Sequence, residues 1–140
     1  MKKLIVIGML LILSGCAEKK EYEQAVLEQM KVEKDIKDYN IEPEKITECV
    51  VQTSTAKMPG LFEIDPERIT AYKNYTKMLK LSSSEDPKKT IEELRTDFGS
   101  PKKLAEAHSN YTESMVECIS GLVTNTEQGL KESEQPAERK

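Results

Sequence analysis

The stretch PKKLAEAHSNYTESMVECISGL, residues 101–122, carries the clearest period in the chain. Leu104, His108, Tyr111, Met115, Cys118 and Leu122 recur at alternating steps of four and three. That spacing stacks side chains along one face of an α-helix, whereas a half-buried strand would alternate at every second residue. Pro101 suits the first helical position, because its missing N–H would have no intrahelical acceptor there. Ser100 before it offers a side-chain oxygen to a free backbone N–H. The stretch predicts a helix with one buried face, and Cys118 lies on that face.

The same punctuation recurs upstream. Glu42-Pro43, Asp65-Pro66 and Asp86-Pro87 read as helix starts, with Asp65 and Asp86 as good caps and Glu42 as a poorer one. Each is followed by helical spacing: Ile46, Cys49, Val50 and Thr53; then Ile69, Tyr72, Thr76 and Leu79; then Ile91, Leu94 and Phe98, with Gly99 as a stop. From Glu21 to about Tyr39 a less pure stripe runs through Tyr22, Ala25, Val26 and Met30, with Glu33 and Ile36 as weaker members. Met58-Pro59-Gly60 and Ser82-Ser83-Ser84 interrupt the chain. No strand-like alternation competes with these patterns. The expected fold is all-α: a compact bundle of four or five helices over residues 21–123. Residues 124–140, rich in Glu, Gln, Ser and Lys with Pro136, read as a disordered tail.

The first residues carry a different message. Lys2 and Lys3 precede an apolar run from Leu4 to Leu13, shorter than the roughly 20 residues a membrane-spanning helix needs. A basic start, a short apolar core and small residues at its end read as an export signal. Leu13-Ser14-Gly15-Cys16 resembles the lipobox of bacterial lipoprotein precursors. The resemblance covers about the first sixteen residues. It implies a signal peptide over residues 1–15, cleavage before Cys16, and acylation of Cys16 as the new N-terminus. Residues 16–20 would then be a short charged tether. Ala17, in place of an aspartate, resembles the Gram-negative pattern that directs lipoproteins to the outer membrane, facing the periplasm or the surface. Several acyl chains on one cysteine hold far more firmly than one, since each buried methylene contributes about 0.8 kcal/mol.

An exported chain folds where disulfides persist. Cys49 and Cys118 remain after Cys16, both on apolar helix faces, and read as a bridge pinning the second helix to the last.

The chain has 25 acidic and 21 basic residues, and losing Lys2 and Lys3 makes it more negative by two. A general nucleic-acid binder would show a basic footprint instead. His108 is the only histidine. With Cys49 and Cys118 it makes three metal ligands at most, where zinc usually takes four. Its place on the stripe reads as a partly buried core residue, so no metal or other cofactor is expected. No G-x-S-x-G, H-E-x-x-H or phosphate-cradling glycine loop is present, which argues against an enzyme.

Two features bear on partners. Pro87-Lys88-Lys89 and Pro101-Lys102-Lys103 place lysines in first turns, against the helix dipole. They read as solvated lysines, with an anion-binding site as the sharper alternative. Met58-Pro59-Gly60-Leu61-Phe62 reads as a loop that folds back and buries Phe62, with an exposed apolar patch as the alternative. The expected function is a membrane-anchored, non-enzymatic binding or assembly module with an envelope protein as partner. Size, anchor and fold class resemble the pilotins that escort secretin subunits. The alternatives are a conjugation or phage exclusion lipoprotein and a small-ligand carrier.

Overall fold

The computed structural model describes the backbone of residues 2–133 and the side chains of residues 17–125. Six helices follow one another: α1 (Lys2–Val32), α2 (Lys34–Asp38), α3 (Pro43–Ala56), α4 (Pro66–Leu79), α5 (Pro87–Asp97) and α6 (Pro101–Ser133), with a 3-10 turn at Leu81–Ser83. No strand occurs among the described residues. The expected all-α bundle is present. It has six helices among the described residues because the first segment breaks at Glu33, whose backbone is extended (φ −64°, ψ 129°).

The helix ends follow the capping chemistry. The Asp65 side chain accepts from the Glu67 N–H, Asp86 from the Lys89 N–H, and Ser100 from the Lys103 N–H, each at 3.0–3.1 Å. Glu42 makes no side-chain cap. Gly99 takes φ 87° after α5, and its N–H donates to Thr96 O. After α2 the same role falls to Asn40 at φ 52°. The Asn40 N–H donates to Lys37 O and the Ile41 N–H to Ile36 O, which satisfies carbonyls the helix leaves open.

α1 runs without a break from Lys2 through the expected signal junction and residues 16–20. Glu and Lys propagate a helix readily, and Glu18 and Lys19 are held by Lys73 and Glu63. At the other end α6 runs to Ser133, past Thr124, because Glu, Gln, Lys and Leu are strong helix formers and Pro136 lies beyond the end. Residues 134–140 of the expected disordered tail lie outside the described residues.

Helix directions follow from a few contacts. α1 and α4 run parallel: Lys19 meets Glu63 just before α4, and Gln29 Nε2 donates to Leu79 O at its end. α3 runs antiparallel to α1 and brings Ser54, near its last turn, to Tyr22. α5 runs antiparallel to α4, with Asn74 donating to Asp97 O and Lys77 paired to Glu93 and Asp97. α6 runs antiparallel to α3: Asn110 Nδ2 donates to Ser54 O, and Cys118 is bonded to Cys49 with Cα atoms 5.9 Å apart. The bridge expected from the two stripes is therefore present.

The core is built on Tyr22, Val26, Met30, Ile36, Ile46, Val50, Tyr72, Tyr75 and Leu94, all buried. Tyr22 packs against Tyr72 and Tyr75 with ring centroids 5.8 Å apart in both pairs, and Phe98 meets Tyr75 edge-on. Polar links thread this core. Tyr22 and Ser54 hydroxyls bond at 2.8 Å, and Asn110 donates to the Tyr75 hydroxyl at 2.9 Å. Burial pushes the Tyr22, Tyr75 and Tyr111 phenols above the usual tyrosine value.

The buried line on α6 is Ala107, Tyr111, Ser114 and Cys118, rotated slightly from the expected stripe. His108 is consequently exposed rather than partly buried. Small Ala107 lets α6 approach more closely than a histidine there would.

Candidate functional site

The segment Lys57–Asp65 joins α3 to α4 at the end of the bundle where α1 carries Glu18 and Lys19. Arg68 organises it. This side chain, only 8% exposed, donates from Nε to Pro59 O at 2.9 Å and from Nη1 to Thr55 O at 2.5 Å. Its Nη2 donates to Met58 O at 3.2 Å and also to Gly60 O. No carboxylate pairs with it among the described residues. Its charge is met by backbone carbonyl dipoles, one at the negative end of α3 and three in the loop after it. Gly60 is required where it stands: φ is 89°, and a Cβ there would lie 2.7 Å from the Arg68 backbone nitrogen.

Asp65 closes the other side. While one oxygen caps α4, the second accepts the Leu61 N–H at 3.1 Å, and the Asp65 N–H donates to Phe62 O. With both flanks tied, the intervening apolar residues point outward. Leu61 is 85% exposed, Phe62 71% and Ile64 69%. The expectation that Phe62 folds into the core is overturned. Met58 is instead the buried apolar residue of this segment, at 5% exposure. Six large apolar residues are exposed among the described ones, and three of them lie in this one four-residue stretch.

Beside the loop, α1, α3 and the start of α4 enclose an open groove of about 1790 Å³. Leu27, Val51 and Met58 give it apolar lining, and Glu23, Glu48 and Glu67 add acidic charge. Lys19 bridges groove and loop through its contact with Glu63 at 2.5 Å, and that carboxylate holds the Lys19 ammonium above the usual lysine value. A smaller cavity of about 690 Å³ lies on the other side of the loop, where Lys57 and Pro59 face Lys103 of α6.

The four lysines of the Pro-Lys-Lys starts are all exposed, but the fold does not bring them together. Pro87 and Pro101 stand at opposite ends of α5, about 16 Å apart along its axis. Lys89 pairs with Glu93 and Lys102 with Glu106, each one turn on. At α5 the Asp86 carboxylate already occupies the terminus and repels an anion. Lys102 and Lys103 instead share the loop's end of the bundle.

Cys16 lies on the backbone of α1, one turn before Lys19, while its side chain lies outside the described residues. Among the described residues no cluster of three or more His, Cys, Asp or Glu could hold a metal, and no helix is long and apolar enough to cross a membrane. Arg68 carries no mark in the sequence that sets it apart from the other basic residues. Compared with known proteins, the chain matches no family model, no curated protein and no solved structure.

Proposed function

We propose that this chain is a bacterial lipoprotein, anchored to the outer membrane through an acylated Cys16, that works by binding another envelope protein. The binding half of this reading is carried by the open groove between α1 and α3. Its lining combines Leu27 and Val51 with acidic side chains, which suits an amphipathic segment carrying basic residues. A carrier for small ligands would call for an enclosed, largely apolar cavity, and the groove is neither. The likeness to pilotins extends to size, anchor and helical fold.

A photo-crosslinking residue at Gln52, in the groove, tests this in intact cells against the same residue at Ser109 on the exposed part of α6. The expected result is one envelope protein captured from position 52 alone, and lost when Leu27→Lys is added without a change in melting temperature. Equal capture at both positions, or indifference to Leu27→Lys, would refute the groove as the binding site.

A further inference from the structure

We infer that the Leu61–Ile64 loop is a second membrane contact, entering the lipid surface beside the acyl chains on Cys16. The inference rests on the lipoprotein reading and gives that anchor a fixed orientation. Its first support is position. Lys19 holds Glu63 directly, and Cys16 precedes Lys19 by three residues on one continuous helix, a rise of about 4.5 Å. Whatever surface takes the acyl chains is therefore within side-chain reach of this loop. Val32, the large apolar residue of α1 exposed among the described ones, is sixteen positions from Cys16, about 24 Å along the axis.

The second support is the build of the loop. Arg68 and Asp65 satisfy its flanking carbonyls and N–H groups from within the protein. Within the tip, Leu61 N–H and Phe62 O are paired to Asp65, whereas the N–H groups of Phe62, Glu63 and Ile64 are left to water and headgroups, which fits shallow seating at the interface rather than entry into the hydrocarbon. Glu63, between them, has its charge matched by Lys19.

The third support is charge. Lys20, Lys57 and Lys103 are exposed, line the two cavities flanking the loop, and have no carboxylate partner among the described residues. These three lysines offer contacts to anionic headgroups at the rim of the tip, beside the acidic side chains of the groove. A protein docking on the same tip is the competing occupant, and the test separates the two.

The chain contains no tryptophan, so Phe62→Trp gives a single fluorescent reporter in the full-length, membrane-extracted protein. Val116→Trp, on an exposed position of α6, serves as control. Both are reconstituted into phosphatidylethanolamine–phosphatidylglycerol vesicles containing lipids brominated near the headgroup, and the mass of the N-terminal peptide reports acylation. The inference expects the indole at position 62 to be blue-shifted and quenched several-fold more strongly than that at position 116. Equal quenching at the two positions with Cys16 acylated overturns the loop contact and leaves the anchor standing. An unmodified Cys16 overturns the anchor and the inference with it. A blue shift without bromine quenching, traced to a co-purifying protein, assigns the loop to a protein partner and overturns the lipid contact.

Discussion

Arg68 reaches back thirteen residues to donate to the carbonyl of Thr55, closing α3 with a charge that α4 supplies. One side chain thereby couples the end of one helix, the start of the next and the shape of the loop between them.

Arg68→Ala should destabilise the protein by about 1.5–3 kcal/mol, the range for hydrogen bonds to a charged group, because the Met58, Pro59 and Gly60 carbonyls lose its donors. Arg68→Lys should recover only part of this, because an ammonium cannot address four carbonyls with the guanidinium's planar fork. Gly60→Ala should act in the same direction through backbone strain and the 2.7 Å approach to Arg68. Urea unfolding monitored by circular dichroism measures all three, and wild-type stability of Arg68→Ala would remove the cage from the account.

The Cys49–Cys118 bridge closes a loop with a separation of 69 positions, and the chain-entropy estimate for it is about 4 kcal/mol. Reduction, or Cys49→Ala with Cys118→Ala, should lower the melting temperature by about 10–20 °C. Mass spectrometry of freshly isolated protein should find no free thiol at either position. Two free thiols there would contradict the bridge in the cell.

Alkaline pH should unfold the protein cooperatively. Tyr22, Tyr75 and Tyr111 have phenols raised above the ordinary value of 10.0 by burial. Below that pH these phenols are protonated in both states and their contribution is complete. As the pH rises past it, the unfolded chain releases protons that the folded chain retains, so stability falls until the folded values are passed. Each group adds about 1.4 kcal/mol per pH unit to the slope. Tyr22→Phe should cost about 1 kcal/mol at neutral pH through the lost Ser54 bond. It should also make the alkaline slope shallower by one proton. An unchanged slope would show that Tyr22 already ionises freely in the fold.

Cys16→Ser should abolish acylation and either release the chain into the soluble fraction or leave the precursor uncut. Cell fractionation with an immunoblot for precursor and processed forms decides this. Normal cleavage together with unchanged membrane retention would sink the lipoprotein proposal.

How much of this was legible depends on whether the chemistry is local. Asp65, Asp86 and Ser100 act on N–H groups two or three residues away, so their roles can be read from the neighbouring prolines. Cys49 and Cys118 were legible because each lies on a helical stripe and no third cysteine of the folded domain competes. His108 misled because a stripe fixes a face only to within about one residue, and the neighbouring helix selected Ala107. Arg68 and Phe62 were illegible for a shared reason. Whether a charge is buried or a ring exposed was decided here by carbonyls up to thirteen residues away, which no periodicity reports.

The exposed loop also lies inside the covalent ring closed by Cys49 and Cys118. A protease that cuts at Leu61 or Phe62 therefore opens the ring without shedding either piece. The half bearing α1 and the half bearing α6 stay joined through sulfur and migrate together until a reductant is added. Proteolysis at this exposed loop would thus leave α4, α5 and α6 attached to the half that carries Cys16, so losing them requires both a cut and an electron donor.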